Sequence, residues 1–65
     1  MPRINYCITI SAVMRHGEFI EEEYHYCTFS SDVAILSAMI KFKNSMDTED
    51  YEILDIRCRV EREEE

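Results

Sequence analysis

From Ile4 to Met14 the chain alternates without a break: Ile4, Tyr6, Ile8, Ile10, Ala12 and Met14 share one parity, and Asn5, Cys7, Thr9 and Ser11 hold the other. A period of two belongs to an extended strand with one buried face, because successive side chains point to opposite sides of a pleated sheet. Arg15-His16-Gly17 interrupts the pattern with the only glycine of the chain, and a second β-rich run follows from Glu18 to Phe29. Two such runs around a glycine-containing break predict a hairpin. Loop length then sets its register. A two-residue loop at His16-Gly17 would place Ile8 and Ile10 opposite His25 and Glu23. A three-residue loop ending in a left-handed Gly17 places them opposite Tyr24 and Glu22. The second is preferred, because it gathers Ile4, Tyr6, Ile8, Ile10, Met14, Ile20, Tyr24 and Tyr26 on one face, with Glu22 the only acid among them.

Ser30-Ser31-Asp32 supplies a serine N-cap, at either position, and an acid where the helix dipole favours negative charge. A helix is predicted from here to about Asn44. Val33, Leu36 and Ile40 recur at helical spacing, Ile35, Met39 and Phe42 broaden the stripe, and Lys41 and Lys43 suit the last turns. The stripe is expected against the sheet or in a two-fold groove, so that Leu36→Asp would destroy both fold and binding. Ser45 to Asp50 reads as a polar connection, and Leu54, Ile56, Cys58 and Val60 alternate with Asp55, Arg57 and Arg59 as a third strand. Residues 61–65 read as a frayed acidic tail. A right-handed crossover through the helix puts the third strand beside the first. The predicted fold is α+β: a two-layer β-β-α-β domain over residues 1–65, with a three-stranded antiparallel sheet of order 2-1-3 and one helix packed on one face.

A core this small supplies only about 3–5 kcal/mol, so a disulfide set, a metal or a second copy of the chain is expected to help. Three cysteines are an odd number, and no C-x-x-C or H-x-x-x-H spacing offers a zinc site. A homodimer is therefore expected, formed through the open sheet edges, with no metal and no cofactor. Fourteen acids against seven bases, a net charge of −7, oppose binding to nucleic acid and favour a protein partner. The absence of a long apolar run or a signal-peptide h-region predicts a cytoplasmic protein without a membrane anchor.

On the second sheet face Cys7 is expected opposite His25 and diagonal to Cys27, beside Thr9, Glu23, Phe19 and Phe29. A Cys-His nucleophile or metal site can be drawn there, but no orienting third group is visible in the sequence, so the pair reads as inert. Thiol redox sensing through Cys7 and Cys27 is a third reading. His16 reads as turn chemistry. Glu18, Glu21, Glu22 and Glu23, and again Asp47, Glu49, Asp50, Glu52 and Asp55, form acid runs that would either imitate spaced phosphates or simply keep the chain soluble. Without walls for a deep cleft, enzyme activity is not expected.

Glu23-Tyr24-His25, followed by Phe29-Ser30-Ser31-Asp32 and then Leu36, resembles the small uracil-DNA glycosylase inhibitors of Bacillus phages. The resemblance implies an acidic homodimer in the host cytoplasm whose two helices flank a hydrophobic groove. The groove and its acidic rim would sequester the DNA-intercalating loop of the host glycosylase and so block its DNA-binding surface by mimicry. Glu23, Tyr24 and His25 match the family's second-strand motif, Asp32 the acid opening the helix, and Leu36 a helical apolar position. The groove-lining aromatic after that acid is Val33 here, and the neighbouring acid is Ala34, so the pocket for a leucine would be shallower unless Phe29 or Phe42 fills the role. The expected partner-binding set is Glu22, Glu23, Tyr24, His25, Phe29, Asp32, Val33 and Leu36, with no catalytic residue. The alternative is a small dimeric regulatory module, such as an inhibitor of another host nuclease or a CRISPR effector, acting without DNA mimicry.

Overall fold

A computed structural model describes residues 2–45 and 53–63. Its elements are β1 (Ile4–Met14), β2 (Phe19–Thr28), α1 (Ser31–Ser45) and β3 (Ile53–Glu63). They form one antiparallel sheet in the order β2-β1-β3 with the helix on one face, the architecture expected from the sequence.

The hairpin takes the three-residue loop. Gly17 sits at φ 95°, a region where a Cβ would clash with its own backbone, and its N–H donates to the Met14 carbonyl at 2.9 Å. Met14 N–H closes the loop on the Glu18 carbonyl at 2.8 Å. Ile8 consequently faces Tyr24, Ile10 faces Glu22 and Cys7 faces His25. On the other side of β1, Ile8 faces Val60, Ile10 faces Cys58 and Ala12 faces Ile56, with a bulge where Val13 and Met14 meet Asp55 and Ile53. The even-numbered row of β1 is buried from Tyr6 to Met14, and Ile4, Ile20, Tyr24 and Tyr26 pack around it.

Ser30 is the serine that caps the helix: its Oγ accepts the Val33 N–H at 3.4 Å. The helix then turns an unexpected side to the sheet. Ala34, Ala38 and Phe42, spaced four apart, are buried, whereas Val33, Leu36 and Ile40 are 49%, 63% and 61% exposed. Of the two places expected for this stripe, the sheet is corrected, because the stripe faces away from it. Two alanines let the helix backbone approach the sheet closely, and Phe42 fills the space at the far end; ranking positions by side-chain size selects the wrong line.

β3 also differs from its expected extent. Residues 61–63 are not frayed but paired with β1, Cys7 to Glu61 and Asn5 to Glu63, because the ladder's hydrogen bonds continue past the last apolar residue. Residues 64 and 65 lie outside the described residues, as does the expected connection from 46 onward. The helix rests over β1 and β2 and barely reaches β3. An eleven-residue strand extends about 36 Å, whereas a fifteen-residue helix extends about 22 Å. One helix cannot cover this sheet. The inward row of β3 therefore stays partly in water, with Ile53, Ile56 and Val60 each more than one third exposed.

Candidate functional site

Among the described residues, apolar side chains stand exposed along the outer side of α1, at Val33, Leu36 and Ile40, and along the inward row of β3, at Ile53, Ile56 and Val60. Three- and four-residue spacing aligns the first set on one side of a helix, and two-residue steps align Ile56 with Val60. A helix that is apolar on both its sheet side and its outer side has sequence for two contacts and structure for one. Neither surface encloses a cavity or gathers polar groups for chemistry; both are shaped for contact with another apolar surface.

The expected partner-binding residues do not converge within one protomer. Asp32, Val33 and Leu36 lie on the exposed part of the helix. Tyr24 is half-buried against the core and Glu22 stands exposed at its margin, both on the helix-covered side of the sheet. Glu23 and His25 occupy the opposite side, as alternate residues of a strand must. Phe29, 53% exposed at the junction of β2 and α1, lies beneath the Arg3 guanidinium, 5.3 Å from its ring centre. Phe42 is buried and closed to a partner, so of the two aromatics considered as groove lining only Phe29 is accessible.

The outer face of the sheet is largely polar, with Val13 and Phe19 exposed as a cross-strand pair at the hairpin end and charges of both signs on β3. β2 contributes Glu21 and Glu23, while β3 contributes Arg57 and Arg59, paired with Asp55 at 3.2 Å and Glu61 at 3.0 Å. Ser11 Oγ donates to Glu21 at 3.1 Å between them. Acidic residues among those described are spread over the hairpin and β2 (Glu18, Glu21, Glu22, Glu23), the start of α1 (Asp32) and β3 (Asp55, Glu61, Glu63), with the β3 arginines interrupting them, so they form no continuous rail; the second acid run lies outside the described residues apart from Asp55. His16 bonds Glu18 across the turn at 2.9 Å, consistent with turn chemistry.

Toward the other end of that face, Cys7, Glu23 and His25 meet. The Cys7 thiol donates to Glu23 Oε1 at 3.0 Å, His25 Nε2 lies 3.3 Å from the same oxygen, and His25 Nδ1 lies 2.5 Å from Glu63 Oε1. The bond to Glu23, then burial and the nearby carboxylates, push the Cys7 thiol up to about 11. The Glu63 bond raises the imidazole above its ordinary value. A thiol so raised carries little thiolate at neutral pH, which opposes the redox reading for Cys7 and Cys27. Glu63 was hidden in the sequence because its neighbours read as a tail; only the pairing of β3 with β1 brings it here.

No protein-family model, curated protein or solved structure matches the chain. Among the described residues, no helix is long and apolar enough to cross a membrane.

Proposed function

We propose that the chain is a homodimeric inhibitor, not an enzyme, that binds a host DNA-processing enzyme through an apolar groove between its helices. The observation that carries this reading is a pair of exposed apolar surfaces, the outer side of α1 and the inward row of β3. Taken at roughly 180 Å² for a fully exposed aliphatic residue, the fractions for Val33, Leu36, Ile40, Ile53, Ile56 and Val60 leave about 500 Å² of apolar side chain in water. A stable interface takes about 800 Å² from each partner, so the two surfaces together would supply the greater part of one. Pairing β3 with its two-fold copy would satisfy an open edge, pool both bare rows and set two helices along a groove. Asp32, exposed at the start of α1, would stand at its rim and favour a basic partner.

Uracil-DNA glycosylase is the first target to test, on the strength of Glu23-Tyr24-His25, Phe29-Ser30-Ser31-Asp32 and Leu36, and a phage protein acting in the host cytoplasm would meet it there. Titrating the protein against uracil excision by the host glycosylase decides. Stoichiometric loss of excision is expected, and undiminished excision at large excess removes the glycosylase reading. The arginines of β3 favour a second form of the proposal, in which an apolar groove rather than phosphate imitation holds a different host enzyme. In that case association should hardly respond to salt beyond about 0.15 M, where the Debye length is about 8 Å.

A further inference from the structure

The Cys7–His25 pair reads as inert in the sequence because nothing orients it. The fold brings two carboxylates to the pair from different strands. Glu23, two residues from His25 on β2, reaches back to Cys7 and to the imidazole, and Glu63 arrives from β3 on the far side of β1. We infer that Cys7 Sγ, Glu23 Oε1 and His25 Nε2 form a zinc site on the outer face of the sheet, with Glu63 holding the histidine and one coordination position left open.

Three observations carry this. The first is spacing. Zinc bonds of about 2.0 Å to nitrogen and oxygen and about 2.3 Å to sulfur place tetrahedral ligands about 3.3–3.6 Å apart. Glu23 Oε1 stands 3.0 Å from Cys7 Sγ and 3.3 Å from His25 Nε2, and all three ligand atoms lie within 4.8 Å of one another. Rotation of exposed side chains about their χ angles closes the remainder without moving the strands.

The second is the tautomer. A metal-binding histidine gives one nitrogen to the ion and donates the other N–H to an oxygen acceptor, which fixes the ring and raises its basicity. Glu63 accepts from Nδ1, so Nε2 is turned toward Cys7 and Glu23. The third is the donor set. Thiolate, imidazole and carboxylate together suit zinc rather than magnesium or calcium, which take oxygen. Without metal the same atoms share protons: Cys7 Sγ keeps its proton and donates it to Glu23, and His25 Nδ1 donates to Glu63. Zinc displaces the thiol proton, leaving thiolate, Glu23 carboxylate and neutral imidazole around the ion. It thereby links β1 to β2 directly and to β3 through Glu63. The open fourth position takes water or a donor from a bound protein.

Binding of zinc ions alone and of cobalt ions alone to the chelator-treated full chain tests this. Cobalt should bind one ion per chain, with a sulfur-to-cobalt charge-transfer band and the visible spectrum of four-coordinate geometry. Cys7→Ser should abolish the band, and His25→Gln should weaken zinc binding at least about a hundredfold. Glu63→Gln should retain the band but lower affinity about 10–100-fold, as loss of a group that orients a ligand does. Cys27→Ser and His16→Gln should change nothing. Circular dichroism of each metal-free variant should match the parent, since every substituted side chain lies on the outer face or the turn. No charge-transfer band in the unaltered chain, or a band that survives Cys7→Ser, would overturn the site. So would a band lost equally in Cys27→Ser, since the metal would then be held by the exposed thiol.

Discussion

Leu36 and Phe42 lie on the same helix, and their substitutions should fail in different ways. Phe42 is 2% exposed and fills the end of the layer between helix and sheet. Phe42→Ala removes about 3–5 kcal/mol, comparable to the whole stability expected of so small a core, so this variant should not fold. Leu36 is 63% exposed. An aspartate there costs the isolated protomer only about 0.5–1 kcal/mol, mainly in helix propensity. In the proposed dimer the same side chain would give up roughly 110 Å² to the interface, or about 3 kcal/mol per chain at about 25 cal/mol per Å². One chain's share corresponds to about a hundredfold in dissociation constant, and a dimer loses it twice. Circular dichroism with sedimentation over a dilution series separates the cases. Leu36→Asp should stay folded and become monomeric. If it unfolds like Phe42→Ala, Leu36 belongs to the core and the orientation of the helix is wrong. If it folds and remains dimeric, the groove is not the interface.

Gly17→Ala should lower stability by about 1–2 kcal/mol in urea titration, entirely from backbone strain, because nothing lies within 4 Å of an added Cβ. Ser30→Ala removes the acceptor for the Val33 N–H and should cost about 0.5–2 kcal/mol in the same assay. The pH dependence follows from Cys7, whose folded value is raised from 9.0 to about 11. A raised folded value means that the native state holds the proton more tightly, so this contribution is complete below pH 9.0 and fades as pH climbs toward about 11. Thermal melts of the chelator-treated parent should fall across that window more than melts of chelator-treated Cys7→Ser. Alkylation of Cys7 in the chelator-treated protein at neutral pH should be slow and should accelerate in Glu23→Gln, because the carboxylate that accepts the thiol hydrogen bond and keeps the thiol protonated is gone.

The hairpin register was legible because two local signals agreed: the parity of the apolar residues and a glycine able to take positive φ at one position. The sheet order followed from the sequence of elements and the hand of the crossover. The helix orientation was not legible. Hydrophobic pattern favours Val33, Leu36 and Ile40 over Ala34 and Ala38, yet close approach to a sheet rewards the small side chains. That misreading has a physical content, since residues apolar enough to look like core are left outside it. The cysteine, glutamate and histidine cluster was half legible. Cys7 and His25 follow from register alone, but Glu63 reaches them only through the far strand, from a run of acids with no periodicity to mark it. The expected binding residues of β2 divided between the two faces of the sheet, because a motif read as contiguous in sequence alternates in space.

The central claim is that the exposed side of α1 and the bare row of β3 are covered by a second copy of this chain. Sedimentation equilibrium of the unaltered protein across micromolar concentrations, with melting temperature recorded at each dilution, tests it most directly. A mass of twice 7.8 kDa, dissociating on dilution with a falling melting temperature, is the result predicted. A 7.8 kDa monomer throughout, with a melting temperature independent of concentration, would contradict the account and remove the groove on which the proposed inhibition depends.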